Sequence, residues 1–82
     1  MSVRVLLFGR LADLAGWRER GFDPAPATLS ALRAKIAADD AALGEALCGK
    51  GVQVAVDKQI VRGEAALAAG AEVAFLPPMS GG

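Results

Sequence analysis

The sequence predicts an α+β fold of two layers, in which one main helix packs against a mixed β-sheet. Residues 3–8 carry apolar side chains at both alternating positions, which is typical of a central strand. A stripe of apolar residues with helical spacing follows Thr28. Strand-like runs on both sides of that helix give the order β, β, α, β, β, with small helical pieces added. A chain of 82 residues makes one domain at most.

The first half of the predicted sheet comes from two strands joined by a short helix. In the first strand, Val3 to Phe8, alternate apolar side chains point to opposite faces. Arg10 to Ala15 can form a short helix, and Gly16 is a plausible end for it. Trp17 to Phe22 fits a second strand that returns beside the first. Two prolines in residues 23–27 then exclude both a continued helix and an inner strand.

The main helix is predicted from its cap and from its apolar spacing. Thr28 is a suitable N-cap residue for a helix that extends from Leu29 to about Ala38. Leu29, Leu32 and Ile36 lie at i, i+3 and i+7, so they form one buried stripe. Ala41 to Leu47 predicts a further short helix.

Three strands are predicted in the second half of the chain. Val52 to Val56 and Gln59 to Val61 are joined by a turn at Asp57-Lys58. The connection that follows allows one helical turn at Glu64 to Leu67. Glu72 to Leu76 is the last strand, and the two prolines that follow it prevent its continuation.

The composition excludes several classes of function. Nine basic and nine acidic residues balance, which argues against nucleic acid or an anionic membrane as a partner. There is no His, so neither a Ser-His-Asp nor a Cys-His arrangement can form. The single Cys cannot make an internal disulfide or a thiolate zinc site. We therefore expect a chain that is not an enzyme by itself and that holds no metal and no bound cofactor.

The sequence also offers no targeting segment. The apolar run near the N-terminus is too short for a signal peptide and is bracketed by Arg4 and Arg10. No apolar stretch approaches the ~20 residues of a membrane span. A lone thiol fits a reducing compartment, so a cytoplasmic location is expected.

Four features suggest sites but have simpler structural explanations. Gly44 to Gly51 nearly matches a phosphate-binding loop, but its last position lacks a hydroxyl and a helical pattern precedes it. Cys48 has no His to activate it, which favours a packing or incidental role. Asp39-Asp40 is more typical of a helix end than of a metal site. Trp17 is expected to pack against the core.

The C-terminus is the strongest candidate site. A strand ends at Leu76, Pro77-Pro78 stiffens the exit, and the chain finishes with Gly81-Gly82. A diglycine end is the slimmest possible peptide, so it can enter a narrow channel and present its carboxylate to another protein. The alternative is a frayed terminus of small residues.

The wider sequence resembles the MoaD family, the small subunits of molybdopterin synthase within the ThiS/MoaD group. The specific part is the ending, Ala74-Phe75-Leu76-Pro77-Pro78-Met79-Ser80-Gly81-Gly82. Residues 5–16, the start of the main helix at 28–32 and the strand end Val54-Ala55-Val56-Asp57 are also similar to that family. Asp57 stands where the family usually has Asn, which we interpret as a turn substitution.

The resemblance implies a β-grasp fold, the ubiquitin-like sandwich, and the function of a sulfur carrier. In the family, an adenylating E1-like enzyme uses ATP to activate the terminal glycine carboxylate. A sulfur donor then converts it to a thiocarboxylate. The charged tail enters the large catalytic subunit, in a heterotetramer, and gives sulfur to cyclic pyranopterin monophosphate, which builds the dithiolene of molybdopterin.

The resemblance also assigns roles to residues of this chain. Gly82 would carry the thiocarboxylate, and Gly81, Ser80 and Met79 would form the inserted tail beyond a β-grasp domain of residues 1–78. The root of the tail would lie at the partner interface and comprises Phe75, Leu76, Pro77 and Pro78. For Phe75 a place in the core is an equal alternative, because it shares a strand face with Val73.

Other functions fit the same carboxylate. A β-grasp carrier could instead supply sulfur for thiazole synthesis or tRNA thiolation, although the Pro-Pro step favours molybdopterin. Protein conjugation, as with ubiquitin, is a further alternative. An interaction module with an inert tail, and a small nucleotide-binding enzyme that uses Gly44 to Gly51, complete the set.

Overall fold

The computed structural model describes residues 2–78 and confirms the predicted α+β class. Its five strands and three helices are β1 Val3–Leu7, α1 Arg10–Ala15, β2 Glu19–Phe22, α2 Leu29–Asp39, α3 Ala41–Leu47, β3 Gln53–Val56, β4 Gln59–Val61 and β5 Glu72–Leu76. The strands form one mixed sheet in the order β2-β1-β5-β3-β4. The central pair β1 and β5 is parallel, and the other pairs are antiparallel. No helix in residues 2–78 is long and apolar enough to cross a membrane.

The core lies between the helices and one face of the sheet. The alternation of β1 and β5 turns Val5 and Val73 toward α2, and both side chains are fully buried. The helix answers with its predicted stripe, since Leu29, Leu32 and Ile36 are also buried. Each fully buried aliphatic side chain of this size contributes roughly 1.5–3 kcal/mol relative to an exposed one. The sheet and α2 therefore stabilise each other, as the sequence predicts.

The local signals in the sequence place the helix ends correctly. The Thr28 hydroxyl accepts a hydrogen bond from the Ala31 N–H at 3.2 Å, so it caps α2 as expected. Asp40 caps α3 in the same way, through the Leu43 N–H at 3.1 Å. Gly16 ends α1 with a left-handed backbone. Asp40 is thus part of a helix boundary, as predicted.

The segment between β4 and β5 differs from the prediction. Residues 64–67 form no helical turn; they run extended beside the chain that enters α2. The Leu67 N–H donates to the Ala27 carbonyl at 2.8 Å, and the Leu29 N–H donates to the Ala65 carbonyl at 2.9 Å. The helical prediction is wrong because these long-range backbone bonds satisfy groups that one isolated turn would leave open.

Glu64 fixes the same segment to the start of α2. Its carboxylate accepts hydrogen bonds from the Ser30 hydroxyl and from the Ser30 N–H, the latter at 3.0 Å. The Ala65 N–H donates to it as well. These bonds, the Ser30 hydroxyl first, hold the pKa of Glu64 below its ordinary value.

Stability should therefore depend on Glu64 and on pH. The ionised carboxylate stabilises the folded state above the unfolded pKa of about 4.3, and this contribution is lost as pH falls through the lower folded pKa. Glu64→Gln is expected to lower the denaturant midpoint at neutral pH, with a difference from wild type that shrinks below about pH 4. Chemical denaturation across pH measures this, and a difference that stays constant into acid would contradict it.

Helices α2 and α3 approach closely at Gly44. This glycine is buried, and a Cβ built on it would lie 2.4 Å from the Cβ of Ala37 and 2.7 Å from its Cα. Those distances are too short for real atoms, and the Ala37 backbone cannot give way as a flexible side chain could. Gly44 is therefore a packing residue of a helix pair and not part of a phosphate loop.

Gly44→Ala is expected to destabilise the fold although alanine favours helix. Overpacking costs about 1–3 kcal/mol, and the gain in helix propensity returns at most about 1 kcal/mol. The melting temperature should fall by roughly 4–16 °C for a domain of this size. Gly21→Ala is the matched control, because nothing lies within 4 Å of a Cβ there and its φ is not positive. Equal melting temperatures for Gly44→Ala and wild type would refute the close helix contact.

Candidate functional site

The root of the C-terminal tail lies at the end of the central strand β5. Leu76 ends the strand and is half-buried, Pro77 follows, and Pro78 is exposed. Met79, Ser80, Gly81 and Gly82 lie outside the described residues. The assignment of Gly82 as the modified residue therefore stays a prediction, and the site is built here from its surroundings.

Phe75 belongs to the core and not to the surface of the interface. Its side chain is fully buried because the alternation of β5 turns it, like Val73, toward α2. The Arg33 guanidinium lies 5.9 Å from the centre of its ring. Of the two alternatives for Phe75, the structure shows the core, so its ring presents no surface to a partner.

Two glycines allow the chain to pack against the tail root. Gly51 has φ 86°, and a Cβ on it would lie 2.8 Å from the Cβ of Pro78. Gly9 has φ 55°, and its Cβ would lie 3.1 Å from the Cγ of Pro77. Both positions are left-handed, a conformation that glycine adopts without strain. The neighbouring loops thereby hold both prolines at a fixed place on the domain.

A groove of about 290 Å³ lies on the helical side of the tail root. Leu14, Pro77 and Pro78 give it apolar walls, and Arg10 and Lys50 add positive charge. Leu14 is 50% exposed, which is unusual for a leucine on a short helix. The groove offers a partner an apolar contact with a cationic lining next to the tail.

The face of the sheet that turns away from the helices is apolar across four strands. The register places Leu6, Ala74, Ala55 and Ile60 in one row across β1, β5, β3 and β4. By continuation of the β1–β5 register, the residue after Leu7 lies beside Leu76. That residue, Phe8, is 45% exposed, and Ile60 is 51% exposed. We call Leu6, Phe8, Ala55, Ile60, Ala74 and Leu76 the open face.

Sequence reasoning missed that part of the site. Apolar residues at both alternating positions of β1 predict a strand covered on both sides, yet the helices cover only one side. The signal that could have found the open face is the mismatch between strands with two apolar faces and a single helical layer. An uncovered apolar face on a small domain marks a contact surface.

At the far end of β1 and β5 the same side of the sheet is charged. Arg4 bonds Glu72 at 2.5 Å and lies 3.4 Å from Glu19. These carboxylates, chiefly through the Glu72 hydrogen bond, raise the pKa of Arg4 above its ordinary value. The apolar surface therefore faces the tail root and ends at a solvated ion-pair cluster.

The other candidates have structural explanations. Trp17 is partly buried and packs against the core, as predicted, with Arg20 stacked 6.0 Å from its ring. Asp39 pairs with Arg20 at 3.2 Å. Cys48 is exposed at the end of α3, so a packing role for it is wrong. In residues 2–78 no cluster of His, Cys, Asp or Glu could hold a metal ion.

Solved structures with the same architecture come from archaea. SAMP1 from Haloferax volcanii has 29% sequence identity and a TM-score of 0.85, with 100% of each chain covered. A chain from Pyrococcus furiosus, provisionally called molybdopterin converting factor, subunit 1, has 25% identity and a TM-score of 0.79 over 96% of this chain and 99% of that one. The small archaeal modifier protein 1 of Methanosarcina acetivorans, at 21% identity and TM-score 0.83 over 99% of this chain and 96% of that one, shares the fold. A search of the curated proteins finds no match.

The fold and the tail root define a β-grasp protein of the ubiquitin-like class, a small sulfur carrier or modifier. The family model described as the ThiS family matches residues 5–82, and the chain belongs to that family. Small sulfur carriers of this family are non-catalytic, and carriers of the ThiS/MoaD type typically pair with E1-like activating enzymes. The comparisons leave the pathway open.

Proposed function

We propose that this chain is the sulfur carrier subunit of molybdopterin synthase. The observation that carries the proposal is the tail root: β5 delivers the chain, through Pro77 and Pro78, to the edge of the apolar open face. Four residues further on stands the carboxylate of Gly82. The sequence ending and the likeness to the Pyrococcus furiosus chain support molybdopterin as the destination.

The chemistry begins at the Gly82 carboxylate. A carboxylate is a poor electrophile, so the activating enzyme joins it to the α-phosphoryl group of ATP and releases pyrophosphate. Sulfur from a donor then displaces AMP and leaves a terminal thiocarboxylate. This chain binds no cofactor in the proposal, because ATP is consumed by the activating enzyme. Its own contribution is to present a slim, extended nucleophile.

The open face provides the reversible contact that a carrier needs. The tail enters the large subunit, which holds the catalytic residues, and gives sulfur to cyclic pyranopterin monophosphate. Enclosure in that pocket protects the reactive acyl group from water. Because the carrier must leave each partner, a modest apolar surface suits it better than a large permanent one. Protein conjugation through the same carboxylate is a second candidate, favoured by the likeness to the Haloferax volcanii modifier.

Accurate mass of the tail peptide tests the proposal. The chain is incubated with its E1-like enzyme, ATP and a sulfur source, and replacement of one oxygen by sulfur at Gly82 is expected. Oxidation of Met79 adds nearly the same mass, so exact mass or alkylation of the thiocarboxylate must separate the two. A Gly82 that remains a plain carboxylate with an active enzyme would overturn the carrier function.

The acceptor is tested next, with the charged carrier. Addition of the large subunit and cyclic pyranopterin monophosphate should return Gly82 to a carboxylate and yield molybdopterin. Transfer to protein lysines instead, seen as isopeptide-linked products, would replace the molybdopterin destination with protein modification.

A further inference from the structure

A second groove, of about 300 Å³, lies between α2 and the loops on either side of β3 and β4. Arg33 of α2 and Arg62 after β4 both line it. The backbone of Gly51 and Gly63 forms part of its walls. Two guanidinium groups in one small concave site are the residue type that best recognises carboxylate and phosphate oxygens.

Arg33 has an unmet hydrogen-bonding group in this groove. Its Nε atom is buried, and it has no hydrogen-bond partner in the part of the chain that the structure describes. The guanidinium rests over the ring of Phe75, 5.9 Å from its centre, so the side chain is held in place. A buried donor without an acceptor is rare in proteins and costs free energy that an incoming acceptor would recover.

The charge of the two arginines is not balanced within residues 2–78. Neither side chain forms one of the ion pairs of that region, which involve Arg4 and Arg20. Glu64 lines a small cavity next to Arg33, but Ser30 and Ala65 donate to its carboxylate. The groove therefore keeps a net positive charge that an external acid can neutralise.

The groove is continuous with the surfaces proposed to bind a partner. Ile60, the most exposed apolar residue of the open face, also lines it. Gly51, which contacts Pro78 at the tail root, lines it on the other side. A protein that covers the open face and receives the tail would pass directly over Arg33 and Arg62.

We propose that the Arg33–Arg62 groove receives an acidic side chain of the E1-like enzyme that receives the tail. This inference rests on the proposed carrier function and names the partner chemistry that the function leaves open. A carboxylate of the enzyme would accept from the buried Nε–H of Arg33 and lie near Arg62. The contact aligns the domain on the enzyme, and the chemical step at Gly82 stays separate from it.

The test measures adenylation of the full chain by its E1-like enzyme, followed as carrier-dependent release of pyrophosphate. Arg33→Gln and Arg62→Gln should each raise the KM for the carrier about threefold to tenfold, as loss of a charge-assisted contact does, with kcat unchanged. Added salt should weaken the wild type more than the double variant. Lys35→Gln is the matched control, because Lys35 is an exposed cation of the same helix.

Each other result overturns the inference in a distinct way. An unchanged KM for both variants, or an equal rise for Lys35→Gln, would show that the groove makes no specific contact. Arg62→Gln keeps the test valid if Arg33→Gln lowers stability through Phe75. A saturable NMR shift of the Arg33 Nε–H with inorganic phosphate would assign the groove to a free anion instead. A wild type that is never adenylated overturns the proposed function and removes the partner itself.

Discussion

A single alanine added after Gly82 is expected to abolish charging of the carrier. The added residue moves the carboxylate by about 3.3–3.6 Å and gives it a Cβ. A misplacement of only ~1 Å can reduce an enzymatic rate about 100-fold. The rate of pyrophosphate release should therefore fall by at least about 100-fold, while the domain of residues 1–78 keeps its melting temperature. An interaction module with an inert tail would lose nothing, so the measurement separates the two functions.

Two controls make that result specific. Ser80→Ala changes the tail but leaves the diglycine end, and it should be charged at nearly the wild-type rate. An extended chain whose added alanine is removed by a carboxypeptidase should recover charging fully. Charging of the extended chain at more than about a tenth of the wild-type rate would contradict a role for the free Gly82 carboxylate.

The elements of the fold were predictable because their signals are local. Thr28 stands one residue before an apolar stripe, so the start of α2 follows from short-range hydrogen bonding. The two prolines at 24 and 26 interrupt the chain whatever surrounds them. The strand alternation of β5 likewise shows that Val73 and Phe75 share one face. For Phe75, however, the pattern could not decide between core and interface, since that depends on which face the helices cover.

The parts that sequence reasoning missed depend on contacts between distant segments. The extended course of residues 64–67 is set by backbone bonds to residues 27 and 29, which no local pattern reports. The open face arises because one helical layer covers only one side of the sheet. Arg33 meets the loop at Arg62 only in the folded chain, so their shared groove has no counterpart in the linear sequence.

Charge placed on the open face should stop partner binding without unfolding the domain. Phe8 and Ile60 are about half exposed in the free chain, so Phe8→Asp and Ile60→Asp should change stability by less than about 1 kcal/mol. Burying a residue of this kind against a partner contributes about 1.5–3 kcal/mol, and an unpaired carboxylate there adds a desolvation cost. The kcat/KM for adenylation should then fall by about 100-fold or more.

The controls separate a contact surface from a general effect of charge. Ala34→Asp places the same charge on the exposed side of α2, away from the sheet, and should leave kcat/KM within about twofold of the wild type. Phe8→Leu and Ile60→Leu keep an apolar surface and should retain most of the activity. If the aspartate variants at Phe8 and Ile60 are charged as fast as Ala34→Asp, the activating enzyme does not contact the open face. The exposure of these residues would then need another partner, such as the large subunit, for which the same variants can be assayed by sulfur transfer from chemically prepared thiocarboxylate.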